Sequence, residues 1–147
     1  MTLKVLQTLA FLVLGLSSNT SGHHNSGTYG KFDVYDARMN KIEIRIILDN
    51  VVNALNEQKN LRAHLIAYAG KQACRNEAKS RLLEARRYLN EKRNIDSSRV
   101  TFIDGGFQTD WAVEIWIGLP ENKPPEKEPT FKKSLVKIVK KCNLIEL

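Results

Sequence analysis

The chain lacks the short motifs that mark the common enzyme active sites. It contains no G-x-S-x-G nucleophile elbow, no phosphate-binding P-loop and no G-x-G-x-x-G dinucleotide motif. Histidine is scarce, with three residues in the chain, and neither C-x-x-C nor H-E-x-x-H occurs. These absences disfavour serine-hydrolase, nucleotide-binding and zinc-enzyme chemistry, and we expect no enzymatic activity, no cofactor and no metal site.

Long apolar runs are also absent. The most apolar stretch, Val5–Leu16, is shorter than the roughly 20 residues that a membrane-spanning helix needs. Lys4 precedes this stretch and small residues follow it, which is the layout of a secretory signal peptide. We therefore predict a signal peptide over residues 1–22 and a periplasmic or secreted location. A buried N-terminal helix is the alternative.

Cysteine is limited to two residues, Cys74 and Cys142. In an exported protein they are expected to form one disulfide, because no third cysteine competes. That bond would connect the C-terminal tail to the start of the second predicted helix. Two unpaired thiols in a reducing compartment are the alternative.

Acidic residues are the minority, since 16 Asp and Glu stand against 23 Lys and Arg and the formal net charge is +7. A basic excess favours polyanionic partners such as an acidic glycan or an anionic membrane, although a solvated basic surface accounts for the same composition. Nucleic acid is not expected as a partner, because the protein is predicted to be exported. Trp111 and Trp116, the aromatics nearest to a stacking platform, are better explained as hairpin or core residues.

The hydrophobic pattern predicts the element order βαβαββ. A short strand at Phe32–Tyr35 precedes a helix over Asn40–Gln58, whose first turns also fit a strand period. The near-continuous apolar run Leu61–Ala69 is expected to be a central strand covered on both faces. A second helix spans Cys74–Lys92 and ends near Asn94, which can take a left-handed cap.

Two further strands follow, Arg99–Gly106 and Val113–Leu119, and we expect them to pair antiparallel through the loop between them. The fold class is therefore α/β (α+β): a two-layer sandwich in which two helices cover one face of a mixed sheet. The predicted domain covers residues 32–120. Residues 23–31 are expected to form a flexible linker before it.

Residues 121–147 are expected to form a Pro-rich linker and a basic tail. Within this region, Phe131–Leu147 has the pattern of a basic amphipathic helix, which would either dock on the domain or touch an anionic lipid surface. The second predicted helix also carries charge, because a basic stripe runs beside its apolar face. The stripe consists of Arg75, Lys79, Arg86 and Arg93.

The segment Phe32–Leu119 resembles the OmpA-like C-terminal domain. Arg81 and the pair Tyr88-Leu89 occupy the frame of that family's Arg…Tyr-Leu helix pattern, and Leu65–Gly70 resembles the strand before its ligand loop. The element order agrees as well. Two positions depart from the family, since Leu82 replaces the small residue of its helix pattern and Lys71 stands about where its loop carries an aspartate.

The resemblance implies an exported, non-catalytic module that holds peptidoglycan or another anionic glycan. Arg81 would contact a stem-peptide carboxylate, and Lys71, Gln72 and Arg75 would line the loop beside it. The alternative for Arg81 is a surface ion pair with Glu77 or Glu84.

Two other function classes remain open at this point. The basic helix stripe and the tail would suit an acidic protein partner or an anionic membrane surface. A small glycan hydrolase would need two carboxylates that flank the scissile bond, and Asp104, Asp110 and Glu114 are the candidates.

Overall fold

The computed structural model describes residues 27–140 and Leu147, so the predicted signal peptide and Cys142 lie outside the described residues. The main elements, in chain order, are β1 (Gly30–Asp36), α1 (Lys41–Glu57), β2 (Arg62–Ala69), β3 (Gln72–Cys74), α2 (Glu77–Arg86), β4 (Val100–Phe107), β5 (Ala112–Gly118) and β6 (Lys137–Val139). The helix α2 continues into a π-helical turn over Arg87–Lys92, and short 3-10 turns occupy Ser97–Arg99 and Lys133–Leu135.

The four-stranded sheet confirms the predicted mixed α/β sandwich. Its strand order is β1-β5-β2-β4, with β2 and β4 parallel and the other two pairs antiparallel. The predicted β4–β5 hairpin is wrong, because β2 lies between these two strands. The crossover through α2 places β4 beside β2 in parallel, and β5 pairs with the opposite edge of β2. The most apolar strand therefore lies inside the sheet.

The ambiguous start of α1 is helical. Asn40 caps the helix by accepting hydrogen bonds from the backbone N–H groups of Ile42 and Glu43, and the Glu43 carboxylate accepts from the backbone N–H of Asn40. This reciprocal capping box satisfies donors that the first helical turn leaves unpaired. The cap therefore decides the ambiguous segment in favour of the helix.

One hydrophobic core lies between the sheet and both helices. From α1 it includes Ile44, Leu48, Val51 and Leu55, and from α2 it includes Ala78, Leu82 and Ala85. Alternate residues of β2, such as Leu65 and Ala67, face this core. Removing each larger apolar side chain from water contributes roughly 1.5–3 kcal/mol.

The helix α2 begins later than the sequence predicts. Asn76 adopts the left-handed conformation with φ of 59°, so the chain turns there, and the helix starts at Glu77. The preceding residues form the short strand β3, which the sequence analysis did not anticipate. At the other end the prediction is confirmed, because Asn94 takes the left-handed conformation with φ of 55°.

The second face of the sheet is covered by the Pro-rich segment, which is therefore part of the domain. The backbone N–H of Glu128 donates to the Tyr68 hydroxyl at 3.0 Å, and the N–H of Phe131 donates to the Phe107 carbonyl at 3.0 Å. The central strand is buried on both faces as a result, with Tyr68 fully inside. This confirms the predicted double cover of β2 and corrects the assignment of the covering residues to a linker.

The predicted N-terminal linker also ends earlier than expected. Thr28 forms a bridge with Lys123, and Tyr29 is buried with its ring 4.3 Å from that of His64 in an edge-to-face contact. The strand β1 then begins at Gly30. Aromatic burial against the second face of the sheet thus fixes the last residues of the expected linker.

In the described part of the segment predicted to be a helix, Lys133–Leu135 is a 3-10 turn and Lys137–Val139 is a strand. A 3-10 turn leads into β6, which pairs in parallel with β3 in the register Gln72 with Lys137 and Cys74 with Val139. The open edge of β3 offers backbone partners, and Val136, Ile138 and Val139 are β-branched residues that favour extended backbone. Pairing with β3 therefore overrides the amphipathic helical period.

Candidate functional site

A groove runs between α2 and the edge strand β4. It consists of two depressions that share Lys79 and Asp104, with volumes of about 790 Å³ and about 390 Å³. The larger one lies where the parallel strands β2 and β4 end, beside the start of α2. Crevices beyond the carboxyl ends of such strands are preferred ligand sites in α/β sheets. We call the two depressions together the α2–β4 groove.

Four exposed cations line the α2–β4 groove. Arg75, Lys79 and Lys133 line the larger depression, while Lys79 and Arg86 line the smaller one. Within the part of the chain that the structure describes, none of the four forms an ion pair. Among the described residues, no ion pair therefore neutralises these four charges.

Helical geometry explains why two of these cations share one wall, and Arg75 stands just before the helix. Lys79 lies two residues into α2 and Arg86 seven residues later, which is close to two full turns. The Arg86 guanidinium also lies 4.9 Å from the centre of the Phe102 ring on β4, in cation–π range. The predicted basic stripe is thus largely a groove wall, apart from Arg93, which lies elsewhere and pairs with Asp49 at 2.8 Å.

Two acidic side chains also line the groove, and both have internal partners. The Asp104 carboxylate accepts a hydrogen bond from the backbone N–H of Gly106 at 3.0 Å. Glu77 is buried and receives two donors, the Arg81 guanidinium at 2.7 Å and the backbone N–H of Gly70 at 3.2 Å. The groove therefore keeps a net positive charge.

Arg81 is an interior residue in the structure. It is 8% exposed, pairs with Glu77 and lies with its guanidinium 3.4 Å from the centre of the Trp111 ring. Burial lowers the pKa of Arg81 from its ordinary value, and the hydrogen bond with Glu77 opposes that shift. The pairing with Glu77 matches the alternative drawn from the sequence, although the pair is buried instead of lying on the surface.

A small void adjoins the Arg81 side chain. Its walls include Tyr35, Trp111 and Leu147. Among the atoms of the described residues, neither the buried Nε of Arg81 nor the buried hydroxyl of Tyr35 has a hydrogen-bond partner. Burial raises the pKa of Tyr35 well above its ordinary range, so this hydroxyl stays protonated.

Lys71 and Gln72 lie in a third depression. Together with Asp110 and Trp111 they line a volume of about 310 Å³ beside the loop between β4 and β5. The backbone N–H of Lys71 donates to the Thr109 carbonyl at 3.1 Å, which ties the two loops together. The four predicted ligand residues are therefore not brought together, since Arg75 lies in the α2–β4 groove and Arg81 is beneath Trp111.

The three candidate carboxylates of a hydrolase are also separated. Asp104 lines the α2–β4 groove, and Asp110 lines the depression beside Lys71. Glu114 pairs with Lys31 at 2.6 Å and faces the opposite side of the sheet from the helices. No two of these acids are placed to flank a common bond, as a glycosidase would need.

Three further observations concern metal binding, membrane spanning and the predicted disulfide. Among the residues that the structure describes, no three His, Cys, Asp or Glu side chains cluster as a metal site would require. No described helix has both the length and the apolar character to cross a membrane. The β3–β6 register places Cys74 opposite Val139, three residues before Cys142, but Cys142 lies outside the described residues and the disulfide stays a prediction.

Sequence reasoning missed three contributors to these sites. Lys133 belongs to a segment expected to be a separate helix, and Phe102 was assigned only to a strand. Trp111 was assigned to a hairpin. The sequence does carry a signal for the Glu77–Arg81 ion pair, because these residues stand at the helical i,i+4 spacing. That spacing does not predict that the pair is buried beneath Trp111.

Comparison with known proteins gives no match. No protein-family model matches the chain, and no curated protein or solved structure is significantly similar to it. The likeness to the OmpA-like domain therefore stays a resemblance carried by the residues named above.

Proposed function

We propose that the protein is an exported, non-catalytic module that binds an anionic glycan of the cell envelope, with peptidoglycan as the expected ligand. The α2–β4 groove is the proposed site. The observation that supports this most is the set of four exposed cations that line two adjoining depressions and form no ion pair with any described residue.

The charges of the groove favour a ligand with repeated carboxylates. Arg75, Lys79 and Arg86 face it from the α2 side, and Lys133 faces it from the C-terminal segment. Peptidoglycan carries carboxylates on its stem peptides, and arginine pairs with carboxylates through two parallel hydrogen bonds. Phe102 and Ile138 add apolar surface against which a sugar ring or an alanyl methyl group can pack.

This proposal changes the role of Arg81 while keeping the ligand class. Its ion pair with Glu77 and its stacking on Trp111 leave it little surface for a ligand. Arg81 has a structural role instead, because its buried ion pair with Glu77 stabilises the start of α2. Lys71 and Gln72 form a neighbouring depression that an extended ligand can also reach.

Cosedimentation with purified sacculi tests the proposal. Exchanging Arg75, Lys79 and Arg86 together for glutamine should weaken retention about tenfold, since each exposed charge contact is worth ~0.5 kcal/mol. The matched control exchanges Lys41, Lys59 and Arg87 for glutamine, which removes the same charge from outside the groove. Equal losses in the two variants, or no loss in the first, would contradict the proposal.

A second measurement tests the non-catalytic part. Prolonged incubation of the protein with sacculi should release no soluble muropeptides above the level of a buffer control. Release that disappears on exchanging Asp104 for asparagine would revive the hydrolase hypothesis and contradict this proposal.

A further inference from the structure

The segment Thr130–Lys140 carries an unusual surface. It contains lysines at four exposed positions and no acidic residue. Two apolar side chains stand among these lysines and are also exposed, Leu135 at 66% and Ile138 at 58%. We call this surface the lysine-leucine face, formed by Lys132, Lys133, Leu135, Lys137 and Lys140. The Ile138 side chain alternates to the other side of β6 and lines the α2–β4 groove.

We propose that the lysine-leucine face docks on the surface of an anionic phospholipid bilayer. Charge complementarity carries the first step, because a cluster of lysines without intervening acids is attracted to negatively charged headgroups. The exposed Leu135 side chain carries the second step, because its transfer from water to the apolar region below the headgroups is favourable.

The face is held in place before any lipid is present. The backbone N–H of Lys137 donates to the Lys71 carbonyl at 2.8 Å, and β6 pairs with β3. Val136 packs against the core between the two exposed apolar residues. Docking therefore needs little further ordering of the chain, which favours binding by a surface of this size.

The composition of the face favours lipid over a soluble polyanion. A glycan or acidic peptide would gain from the four lysines but would leave Leu135 in water. Elsewhere on the molecule, the exposed pair Ile42 and Ile46 on α1 has Glu43 and Asp49 close by in the helix, so it lacks the uniform positive charge.

Vesicle sedimentation of the full chain tests the proposal. The probes are vesicles of phosphatidylcholine with phosphatidylglycerol in equal parts, and vesicles of phosphatidylcholine alone. All variants keep residues 1–26, so any contribution of the apolar N-terminal stretch is common to them. The native chain is expected to bind the anionic vesicles more tightly, and added salt should reduce the difference.

Two variants and two matched controls separate the contributions. Exchanging Lys132 and Lys137 for glutamine should weaken partitioning about 25-fold, or about fivefold per lysine. The variant Leu135→Ser should weaken it about tenfold. The controls are Lys41 and Lys59 exchanged together for glutamine, and Ile42→Ser, whose side chain is 69% exposed; both should bind like the native chain.

The result that would overturn the proposal is equal partitioning of the native chain into both kinds of vesicle, or native-like binding by the Lys132 and Lys137 variant. Binding of the same variants to a soluble polyanion, polyglutamate, is the second measurement that can contradict the proposal. Binding to polyglutamate that depends on the lysines, together with vesicle binding that ignores Leu135→Ser, would assign the face to a soluble acidic partner and contradict lipid docking. Neither Lys132 nor Lys137 lines the α2–β4 groove, so sacculus binding is expected to persist in this variant.

Discussion

The guanidinium of Arg81 lies 3.4 Å from the centre of the Trp111 ring, so a residue of α2 is stacked beneath the start of β5. The same guanidinium pairs with Glu77, whose carboxylate holds the backbone N–H of Gly70 at the end of β2. The Arg81–Glu77 ion pair therefore connects three chain segments: α2, the end of β2 and the start of β5.

The first prediction concerns this contact. Arg81→Ala should lower the free energy of unfolding by about 3–5 kcal/mol, because it leaves the buried Glu77 carboxylate without its counter-charge. Denaturant unfolding measures the change. The control Arg87→Ala removes an exposed arginine paired with Glu84 at 3.3 Å and should cost less than about 1 kcal/mol.

Sacculus retention of a second Arg81 variant separates a structural role from direct contact with the ligand. The double variant Arg81→Met with Glu77→Gln removes both buried charges and is expected to fold. Retention within about twofold of the native chain is expected, since the groove cations remain. A loss as large as that of the Arg75, Lys79 and Arg86 variant would show that Arg81 touches the ligand.

The second prediction concerns the covered face of the sheet. A Cβ atom at Gly105 would lie 2.5 Å from Cε1 of Tyr68 and 2.8 Å from a methyl carbon of Ile66. Gly105→Ala should therefore destabilise the protein by about 1–3 kcal/mol through overpacking. Gly30→Ala is the control, because its Cβ would meet only the Ile117 carbonyl at 3.9 Å; thermal unfolding that affects both variants equally would contradict the assignment.

The third prediction concerns pH. Burial lowers the pKa of His64 from its ordinary value of 6.5, with the nearby Arg62 as the second cause, so the folded protein keeps this imidazole neutral to lower pH than the unfolded chain does. The contribution of neutral His64 to the free energy of unfolding is complete above pH 6.5, and it is lost as the pH falls toward the pKa of His64 in the folded protein. The free energy of unfolding should decrease there by at most about 1.4 kcal/mol per pH unit.

The variant His64→Gln supplies the comparison for this pH effect. Its free energy of unfolding should change less than that of the native chain between pH 7 and about pH 5.5, where few carboxylates titrate. Identical pH profiles for the two proteins would contradict the buried neutral state of His64.

The fourth prediction concerns the two cysteines. A Cys74–Cys142 disulfide would close a loop of about 68 residues and contribute ~4 kcal/mol in the chain-entropy model. Mass spectrometry of a non-reduced digest should find the linked peptides, and Cys142→Ser should unfold at lower denaturant concentration. Addition of reductant should bring the native chain to the stability of the variant, and quantitative labelling of both thiols in the untreated protein would contradict the pairing.

The sequence predicts the main sheet and helices well because their signals are local. Apolar periodicity identifies α1 and α2, and the near-continuous apolar character of β2 identifies the central strand. Pairing across the sheet is not local, which is why the β4–β5 hairpin is wrong. The strand order depends on which strands pair with β2, and adjacency in sequence does not determine those pairs.

The site was less predictable than the fold for a related reason. The helix period predicts that Lys79 and Arg86 lie on one side of α2, but the groove that they line exists only because β4 packs beside α2. Arg75 precedes the helix, so the helix period does not place it. The burial of Arg81 depends on Trp111, which approaches only after the sheet is assembled. The C-terminal contribution of Lys133 depends on β6 pairing with β3, a contact between residues more than sixty positions apart.

The central claim is that the α2–β4 groove holds the ligand, and amide chemical shifts measured during titration with a soluble muropeptide test it most directly. Shift changes are expected to concentrate at Arg75, Lys79, Arg86 and Phe102, and to saturate with added ligand. Changes confined to Lys71, Asp110 and Trp111, or no saturable change at any amide, would contradict it.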